Sequence, residues 1–550
     1  MGLVFFYPAN NIHAQAERSI DPGAIRERSM DTQEYYTLEK KLTEQKEPDQ
    51  GKSRIEDKTK EDSGQGQEAV DETVFINRIE TGASEILSAE EIRNITERYE
   101  GKSISIKDLF MVIKDINELY ASKKFIAARA VLPPQKVEKG VVRIQLIEGH
   151  VGKILVEDNE YIQNSFFTNR ISLKNGDLVR LDRLEKDIFY LNNTNDVQVR
   201  AELKAGESVG TTDCIIRVKE PERYQVSLFS DNAGRDTVGL YRFGMILGFN
   251  SLLGYADRFN MNLLYTNRRG TTAGSLSYDV PVTTRGTRLG VSYDHNKIKV
   301  ISGPFEVLNV SGDSSSLGLD LTQPIIVRSS LKLNGFTGIH LKKSATDFDD
   351  ATLFKSKVKT MDIGMDAQSL DTSGAWYSNI RVTTGNDSFD GQGHFARFNL
   401  FLSRQQVLAK DFIFVFRGNA QVSNKKILPT SEEFQIGGMS SVRGYQEGVL
   451  IGYKGYVVNG ELYFPVPFTS GASFRDKLKG MVFIDHGGAF PYKGEGAAAH
   501  DDYLTGAGVG LVMNISRYFT GRLNLGIPLR NRDDVEQGCM LHFYLQSRIF

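Results

Sequence analysis

The amino-acid sequence predicts an antiparallel membrane β-barrel of about sixteen strands, preceded by two repeated α+β units and an N-terminal polar helix. Three observations support this fold class. From Tyr224 to the C-terminus, apolar and polar residues alternate with a period of two. Residues 74 to 218 contain the same order of predicted strands and helices twice. The longest connection in the alternating region, about residues 424 to 454, contains a glycine-rich motif with one arginine.

Composition limits the possible classes of protein. The 550 residues suggest two to four domains, and a formal net charge of -2 argues against nucleic acid as a partner. The 52 glycines and 32 phenylalanines, with one tryptophan and 14 prolines, fit the turns and aromatic girdles of a barrel better than a helical enzyme. A run of about eighteen apolar residues, which a membrane-spanning helix needs, is missing.

The N-terminal region contains three predicted segments. Ala14-Gln15-Ala16 has the small-x-small form of a secretory cleavage site, so residues 1–16 are interpreted as a signal-peptide remnant, with an ordinary disordered terminus as the alternative. Asp21 and Pro22 predict the start of a helix within residues 17–45, and its charges on nearly every face suit solvent or a wet channel. Residues 46–72 lose all aromatic residues and are predicted to be a disordered linker.

The two α+β units are predicted at residues 73–150 and 151–222. In the first, Ser88 and Glu91 form a capping box that opens a helix to Gly101. The remaining predicted elements of the first unit are strands at 74–79, 125–132 and 141–147 and a helix at 106–122. Those of the second are strands at 153–156, 197–203 and 212–218 and helices near 161–171 and 181–191. Cys214 and Cys539 fall in different predicted domains, so no disulfide is expected, and Cys214 is predicted to be a buried apolar residue.

Residues 223–550 are predicted to form the barrel. Tyr241, Phe243 and Met245 alternate with Arg242 and Gly244, a pattern that places lipid outside and water inside. Sixteen such segments follow one another, and each strand together with its connection takes up roughly twenty residues. Short turns at 281–286 and 371–374 are predicted to be periplasmic. The long connection at 424–454 follows the eleventh segment.

Two motifs lie in this region. Val442-Arg443-Gly444-Tyr445, in the long connection, resembles a signature of the outer-membrane assembly-factor superfamily, whose loop after the eleventh strand folds back into the lumen. Phe483-x-Asp485-x-Gly487 resembles the second signature of that superfamily, and alternation turns Phe483 and Asp485 inward. The resemblance implies that Arg443 pairs with Asp485 and latches the loop to the wall. In a wet lumen such a pair is worth about 1 kcal/mol or less. Glu461 is expected to be at best a second electrostatic contact.

The order of all segments resembles the two-partner secretion transporters of the haemolysin-activator, filamentous-haemagglutinin and contact-dependent inhibition type. This resemblance implies a sixteen-stranded outer-membrane barrel, two periplasmic POTRA (polypeptide-transport-associated) domains and an N-terminal plug helix. It also implies export of one large β-helical exoprotein, a toxin, adhesin or haemolysin, without ATP. The POTRA domains would bind this partner, and the barrel-assembly machinery would insert the barrel into outer-membrane lipid. Phe550 is the expected final aromatic residue, but Gln546 and Arg548 on its alternation phase depart from the pattern.

Two other outer-membrane functions are alternatives to export. A general outer-membrane assembly factor is the main alternative, and a passive porin would leave the repeats unexplained. Asp485 and His486 suggest a hydrolase, but neighbours on a strand face opposite ways and no nucleophile motif accompanies them. The sequence therefore predicts no enzyme activity, no catalytic residues, no cofactor and no metal site.

Overall fold

The structure, a computed structural model, describes residues 21–28, 55–57, 73–303, 306–349, 351–387, 393–409, 411–466, 477–492, 502–516, 518–530 and 538–549. The predicted signal-peptide remnant and Phe550 lie outside these residues, as do most of the predicted polar helix and linker. The chain forms two compact units, which we call the repeat unit (residues 49–221 with 253–256) and the barrel unit (residues 1–48, 222–252 and 257–550). No helix among the described residues is long and apolar enough to cross a membrane.

The repeat unit contains the two predicted α+β domains. The elements of this unit are β1 (Ile55–Asp57), β2 (Thr73–Ile76), β3 (Arg78–Thr81), α2 (Ala89–Thr96), β4 (Lys102–Ser105), α3 (Ile106–Ser122), β5 (Arg129–Val131), β6 (Val141–Ile147), β7 (His150–Glu157), α4 (Asn164–Thr168), α5 (Leu181–Thr194), β8 (Gln198–Ala205) and β9 (Thr211–Lys219). The first domain has a three-stranded sheet of order β3-β6-β5 and a two-stranded sheet β2-β4, and the second has a four-stranded sheet of order β1-β8-β9-β7.

The helices of the first domain follow from local sequence. Ser88 and Glu91 form the predicted capping box, and a hydrogen bond from Lys123 lowers the pKa of Glu91 to about 2. Helix α2 ends at Thr96 and not at Gly101, and residues 97–101 form the turn that leads into β4 at Lys102. Helix α3 has the predicted bounds. It buries one stripe at i, i+3, i+7 and i+11, made of Leu109, Val112, Ile116 and Tyr120.

One predicted strand is divided in the structure. Residues 74–79 form the separate strands β2 and β3, which pair with β4 and β6 respectively. Between them, the backbone N–H groups of Asn77 and Arg78 both donate to the carbonyl of Gly140, at 2.7 and 3.2 Å. The break lets one extended segment serve two sheets, which the local residue pattern does not reveal.

The second domain buries an apolar core between its helices and sheet. Phe167, Leu184 and Ile188 are fully buried there, and Cys214 is 1% exposed. This burial raises the pKa of the Cys214 thiol to about 12, so the residue acts as a small apolar side chain. Cys214 and Cys539 are both free cysteines, and only Cys214 is buried.

The linker prediction is wrong at Ile55–Asp57. These residues form β1, which pairs in parallel with β8 through Ile55 and Ala201, Glu56 and Glu202, and Asp57 and Leu203. Ile55 is 6% exposed and belongs to the second domain's core. The average composition of residues 46–72 predicted disorder. Burial of Ile55 and pairing with the edge of the sheet at β8 are nevertheless enough to order these three residues.

The barrel unit is a closed ring of sixteen antiparallel strands, as predicted, in which the last strand pairs with the first. Its strands are β10 (Tyr224–Asp231), β11 (Arg242–Asn250), β12 (Arg258–Thr266), β13 (Thr271–Pro281), β14 (Arg288–Lys299), β15 (Val310–Val327), β16 (Leu331–Phe348), β17 (Ala351–Asp371), β18 (Gly374–Asp387), β19 (Gly393–Ala409), β20 (Phe412–Ser423), β23 (Lys454–Pro465), β24 (Leu478–Phe490), β25 (Tyr503–Ser516), β26 (Phe519–Pro528) and β27 (Met540–Arg548). The connection between β20 and β23 contains the hairpin of β21 (Phe434–Ile436) and β22 (Leu450–Gly452).

The described part of the predicted polar helix, α1 at residues 22–28, lies in the barrel lumen. The carboxylate of Asp21 accepts from the backbone N–H groups of Gly23 and Ala24 at 2.8 and 3.0 Å, which caps the helix. The carbonyl of Pro22 accepts from Asn296 and from Ser314 on the wall, both at 3.2 Å. Polar wall residues therefore hold a polar helix.

We expect Ile55→Ala to destabilise the second domain by about 2 to 5 kcal/mol, because it removes a buried aliphatic side chain. Urea unfolding of the full chain in detergent, in a Cys539→Ser background and followed by the reaction of a thiol-specific dye with Cys214 as it becomes exposed, measures this. Val209→Ala, at a position 89% exposed, is the matched control. Equal unfolding midpoints for the two variants would show that β1 contributes nothing to this domain.

Candidate functional site

Three glycines let the connection between β20 and β23, which we call the lumen loop (residues 424–453), pack tightly. Gly437, Gly438 and Gly444 have φ angles of 107°, 97° and 95°, which other residues rarely adopt. A Cβ atom on Gly444 would lie 2.9 Å from the backbone of Ile527 and Pro528 on β26. The loop therefore lies directly against the wall, next to Arg443.

The structure brings together the two residues that the motifs paired. The Arg443 guanidinium donates from Nε to Asp485 Oδ2 at 2.8 Å and from Nη2 to Oδ1 at 2.7 Å. The backbone N–H of Arg443 also donates to Asp485 Oδ2, at 3.0 Å. Asn459 donates to Asp485 Oδ1 at 2.7 Å and to the carbonyl of Ser441 at 2.5 Å, so it joins wall and loop as well.

Glu461 is much more than a second electrostatic contact, and that expectation is corrected. Its Oε1 lies 2.6 Å from Arg443 Nη1 and 2.5 Å from Arg417 Nη2. Its Oε2 lies 3.9 Å from Arg522 Nη2 and accepts from the hydroxyl of Tyr463 at 2.7 Å. The side chain is fully buried. Glu461 thus links the loop arginine to two wall arginines, from β20 and β26.

The other motif residues surround this cluster. The Phe483 ring lies 3.6 Å from the Arg443 guanidinium carbon, a cation–π contact. Val442 is buried in an apolar cluster of the loop, and the Tyr445 hydroxyl lies 3.0 and 2.9 Å from the carbonyls of Thr505 and Arg530. Gly487 lies closer to the strand end, where a Cβ would be 2.7 Å from the Tyr456 carbonyl.

Burial changes the expected energetics of the pair. Arg443 and Asp485 are 1% and 0% exposed, so the expectation of a weak pair in a wet lumen is wrong. Breaking a buried pair by removing one partner costs about 3 to 5 kcal/mol, since the remaining charge stays uncompensated. The lumen loop carries Arg443 into this buried position, as the motif implied, but the sequence did not show how completely the pair is enclosed.

Helix α1 contacts the lumen loop through Arg28. Its Nε donates to Glu447 Oε2 at 2.9 Å, and its Nη2 donates to the carbonyl of Gly437 at 2.5 Å and to Ser441 Oγ at 3.1 Å. Lys342 on the wall bridges Glu27 of the helix and Glu432 of the loop, at 3.1 and 2.8 Å. From the sequence only a charged helix was predicted, without partners for these residues.

A cavity of about 640 Å³ remains beside the helix and loop. Arginine and amide side chains from β18, β19 and β20 line much of it, including Arg381, Asn399 and Gln421. The lining is polar, which suits water in the resting lumen.

The closed sixteen-stranded barrel, the loop arginine on a wall aspartate and the two α+β repeats define a class, namely outer-membrane transporters with periplasmic POTRA domains. Comparison with known proteins narrows the class. Residues 210–513 match the family described as haemolysin secretion/activation protein ShlB/FhaC/HecB, and residues 74–149 match the ShlB-type POTRA domain. The chain belongs to this haemolysin secretion/activation family.

Individual relatives agree with this assignment. The heme/hemopexin transporter protein HuxB of Haemophilus influenzae (strain 86-028NP) is 27% identical over 467 residues, which cover 81% of each chain. The solved structure of CdiB from Escherichia coli has a TM-score of 0.64 at 17% identity and covers 100% of both chains. BamA from Haemophilus ducreyi lacking POTRA domains 1–3 has a TM-score of 0.59 at 15% identity, covering 87% of this chain and 100% of its own. At these identities the two structures show a shared fold.

The chain is therefore an outer-membrane two-partner secretion transporter that exports a large exoprotein, and the assembly-factor alternative is less well supported. Members of its family are transporters and not enzymes.

We expect Arg443→Ala and Asp485→Ala each to destabilise the folded barrel by about 3 to 5 kcal/mol. The double variant should lose less than the sum, because each single change already breaks the same contact. Urea unfolding in detergent, followed by gel mobility of unheated samples, measures the cycle.

The control for this cycle is Glu306→Ala, which removes an exposed ion pair with Arg268 worth at most about 1 kcal/mol. Losses that add fully in the double variant would show that Arg443 and Asp485 act independently.

Proposed function

We propose that the Arg443 cluster and helix α1 form a two-part gate on the export route through the lumen. In the resting state α1 and the lumen loop fill the pore, and the secreted partner replaces α1 during transport. The observation that carries this proposal is the set of contacts from Arg28 to Glu447, Gly437 and Ser441, which ties the helix to the loop.

The chemistry of α1 suits reversible release. Its contacts with the wall and loop include hydrogen bonds and ion pairs, such as Lys342 with Glu27, and a single aliphatic side chain, Ile25, enters an apolar cluster of the wall. Water can replace these contacts when the helix leaves, whereas a large apolar interface would resist exposure. The loop contributes five buried side chains to its apolar cluster, among them Val442, Tyr445 and Leu450, whereas the helix contributes only Ile25 to another, so we infer that the loop is held more firmly than the helix.

The POTRA domains supply the recognition step of the proposal. An unfolded segment of a large β-helical exoprotein binds them in the periplasm, by adding a strand to an exposed sheet edge. Folding of the exoprotein outside the cell then draws the rest of the chain outward, so no ATP is needed. The toxin, adhesin or haemolysin classes of partner all fit this mechanism.

Insertion of the barrel itself is assigned to the barrel-assembly machinery. Strand β27 closes the barrel against β10 and places His542 and Tyr544 on the lumen side. Leu541 lies on the opposite, outer face of β27 and is 56% exposed, as expected for a side chain that contacts lipid. We propose that this last strand carries the recognition signal.

Deleting residues 74–220 should abolish release of the exoprotein while leaving an inserted barrel, because the cargo is no longer captured. Immunoblots of culture medium and of outer-membrane fractions measure the two quantities separately. Normal release by the deletion variant would overturn the export mechanism proposed here.

Deleting residues 22–28 should raise single-channel conductance severalfold in planar bilayers, because the helix no longer fills the lumen. The variant Arg28→Ala should show frequent transitions between the wild-type and the raised level, since only the tie to the loop is lost. The matched control is Arg268→Ala, at an exposed position with the ion-pair partner Glu306. Unchanged conductance in the deletion variant would contradict the plug role of α1.

A further inference from the structure

Four lysines form an exposed patch on the outside of the barrel, which we call the lysine patch: Lys343 on β16 and Lys355, Lys357 and Lys359 on β17. They share the outward alternation phase of Leu341 and Met361, which are 42% and 52% exposed. Val358 and Thr360, in the opposite phase, are buried toward the lumen. Because the chain enters β10 directly after the periplasmic POTRA domains, the connection from β10 to β11 lies at the extracellular end of the pore, and antiparallel order places the connection from β16 to β17 at the same end.

Strand register concentrates the charges of this patch. Lys343 is directly opposite Lys357, and the positions on either side pair Ala345 with Lys355 and Leu341 with Lys359. Directly opposite residues have Cβ atoms about 4.5 to 5.5 Å apart, and like charges there are destabilising. Among the described residues, no carboxylate forms an ion pair with these four ammonium groups. The patch is therefore repulsive by itself, and an anion bound from outside would relieve the repulsion.

The position of the patch relative to the apolar band indicates which anion is available. Rows of apolar side chains begin immediately next to it, with Ile339 paired to Met361 and Thr337 to Ile363. Strands β16 and β17 have 18 and 21 residues, more than the roughly 9 to 11 needed to cross the hydrocarbon. The patch thus lies where acyl chains give way to lipid head groups.

Acidic neighbours do not neutralise this surface. Asp313 on β15 pairs with Ala345 on one side and with Lys297 on the other, and Asp347 lies further along β16. Both are more distant from the apolar band than Lys343. The excess of positive charge is thus largest at the edge of the hydrocarbon.

We propose that the lysine patch binds the phosphates of a phosphorylated glycolipid in the outer leaflet of the membrane. Lys355 and Lys359 are about 13 Å apart along the strand, at about 3.3 Å per residue. This spread matches a rigid head group with more than one phosphate better than a phospholipid with one. Lysine–phosphate contacts are charge-assisted, and the acyl chains lie against Leu341 and Met361. The proposal is independent of how the exoprotein is exported.

The test uses the full chain in non-ionic detergent, with diphosphoryl lipid A as the probe and phosphatidylglycerol as the comparison lipid. Native mass spectrometry and thermal-shift titration give the affinities. The double variant Lys343→Gln/Lys357→Gln should bind lipid A at least tenfold more weakly than wild type. Without lipid it should be no less stable, because the substitution removes a repulsive pair.

The matched control is Lys454→Gln, an exposed lysine at the same barrel end whose directly opposite residue is Phe490. It should bind lipid A as wild type does. Unchanged lipid A affinity in the double variant, or equal affinities of wild type for lipid A and phosphatidylglycerol, would overturn the proposal. Retained lipid A binding together with lost exoprotein release would assign the lysines to the exported chain and also overturn it.

Discussion

The burial of one guanidinium group constrains most of the barrel interior. Arg443 is 1% exposed, so its charge must be met by carboxylates that are themselves buried. Asp485 supplies a bidentate partner, and Glu461 supplies a second carboxylate that Arg417 and Arg522 share. Each of these residues comes from a different strand or from the loop. The cluster can therefore form only when strands β20 to β26 are paired in order and the loop is folded inward.

The same constraint explains the glycines of the lumen loop. Gly444 lies against the backbone of β26, and a Cβ atom on Gly506 would lie 2.0 Å from the Arg443 carbonyl. Larger side chains at either position would move Arg443 away from its carboxylates. The motif is thus one arginine together with the small residues that allow its approach.

The lumen loop and α1 together occupy space that the wide barrel leaves open inside. Wall side chains alone do not fill a ring of sixteen strands, and an open pore would leak. The interior is instead filled by an apolar loop cluster and a polar helix, joined through Arg28 and Glu447. In the proposed mechanism, the secreted polypeptide replaces this polar helix during export.

The sequence by itself determined the elements whose signal is local and periodic. Alternation gave the sixteen strands and the loop after the eleventh, helical periodicity gave the bounds of α3, and a capping box gave the start of α2. The two motifs also named Arg443 and Asp485, which the structure places in contact. Only the tertiary structure decided that this contact is buried and that Glu461 joins three arginines. It also decided that Arg28 ties helix α1 to the lumen loop and that Ile55 belongs to a strand added to a POTRA sheet. These facts depend on which distant strands and segments meet after barrel closure and domain folding, and no local pattern of residues encodes such meetings.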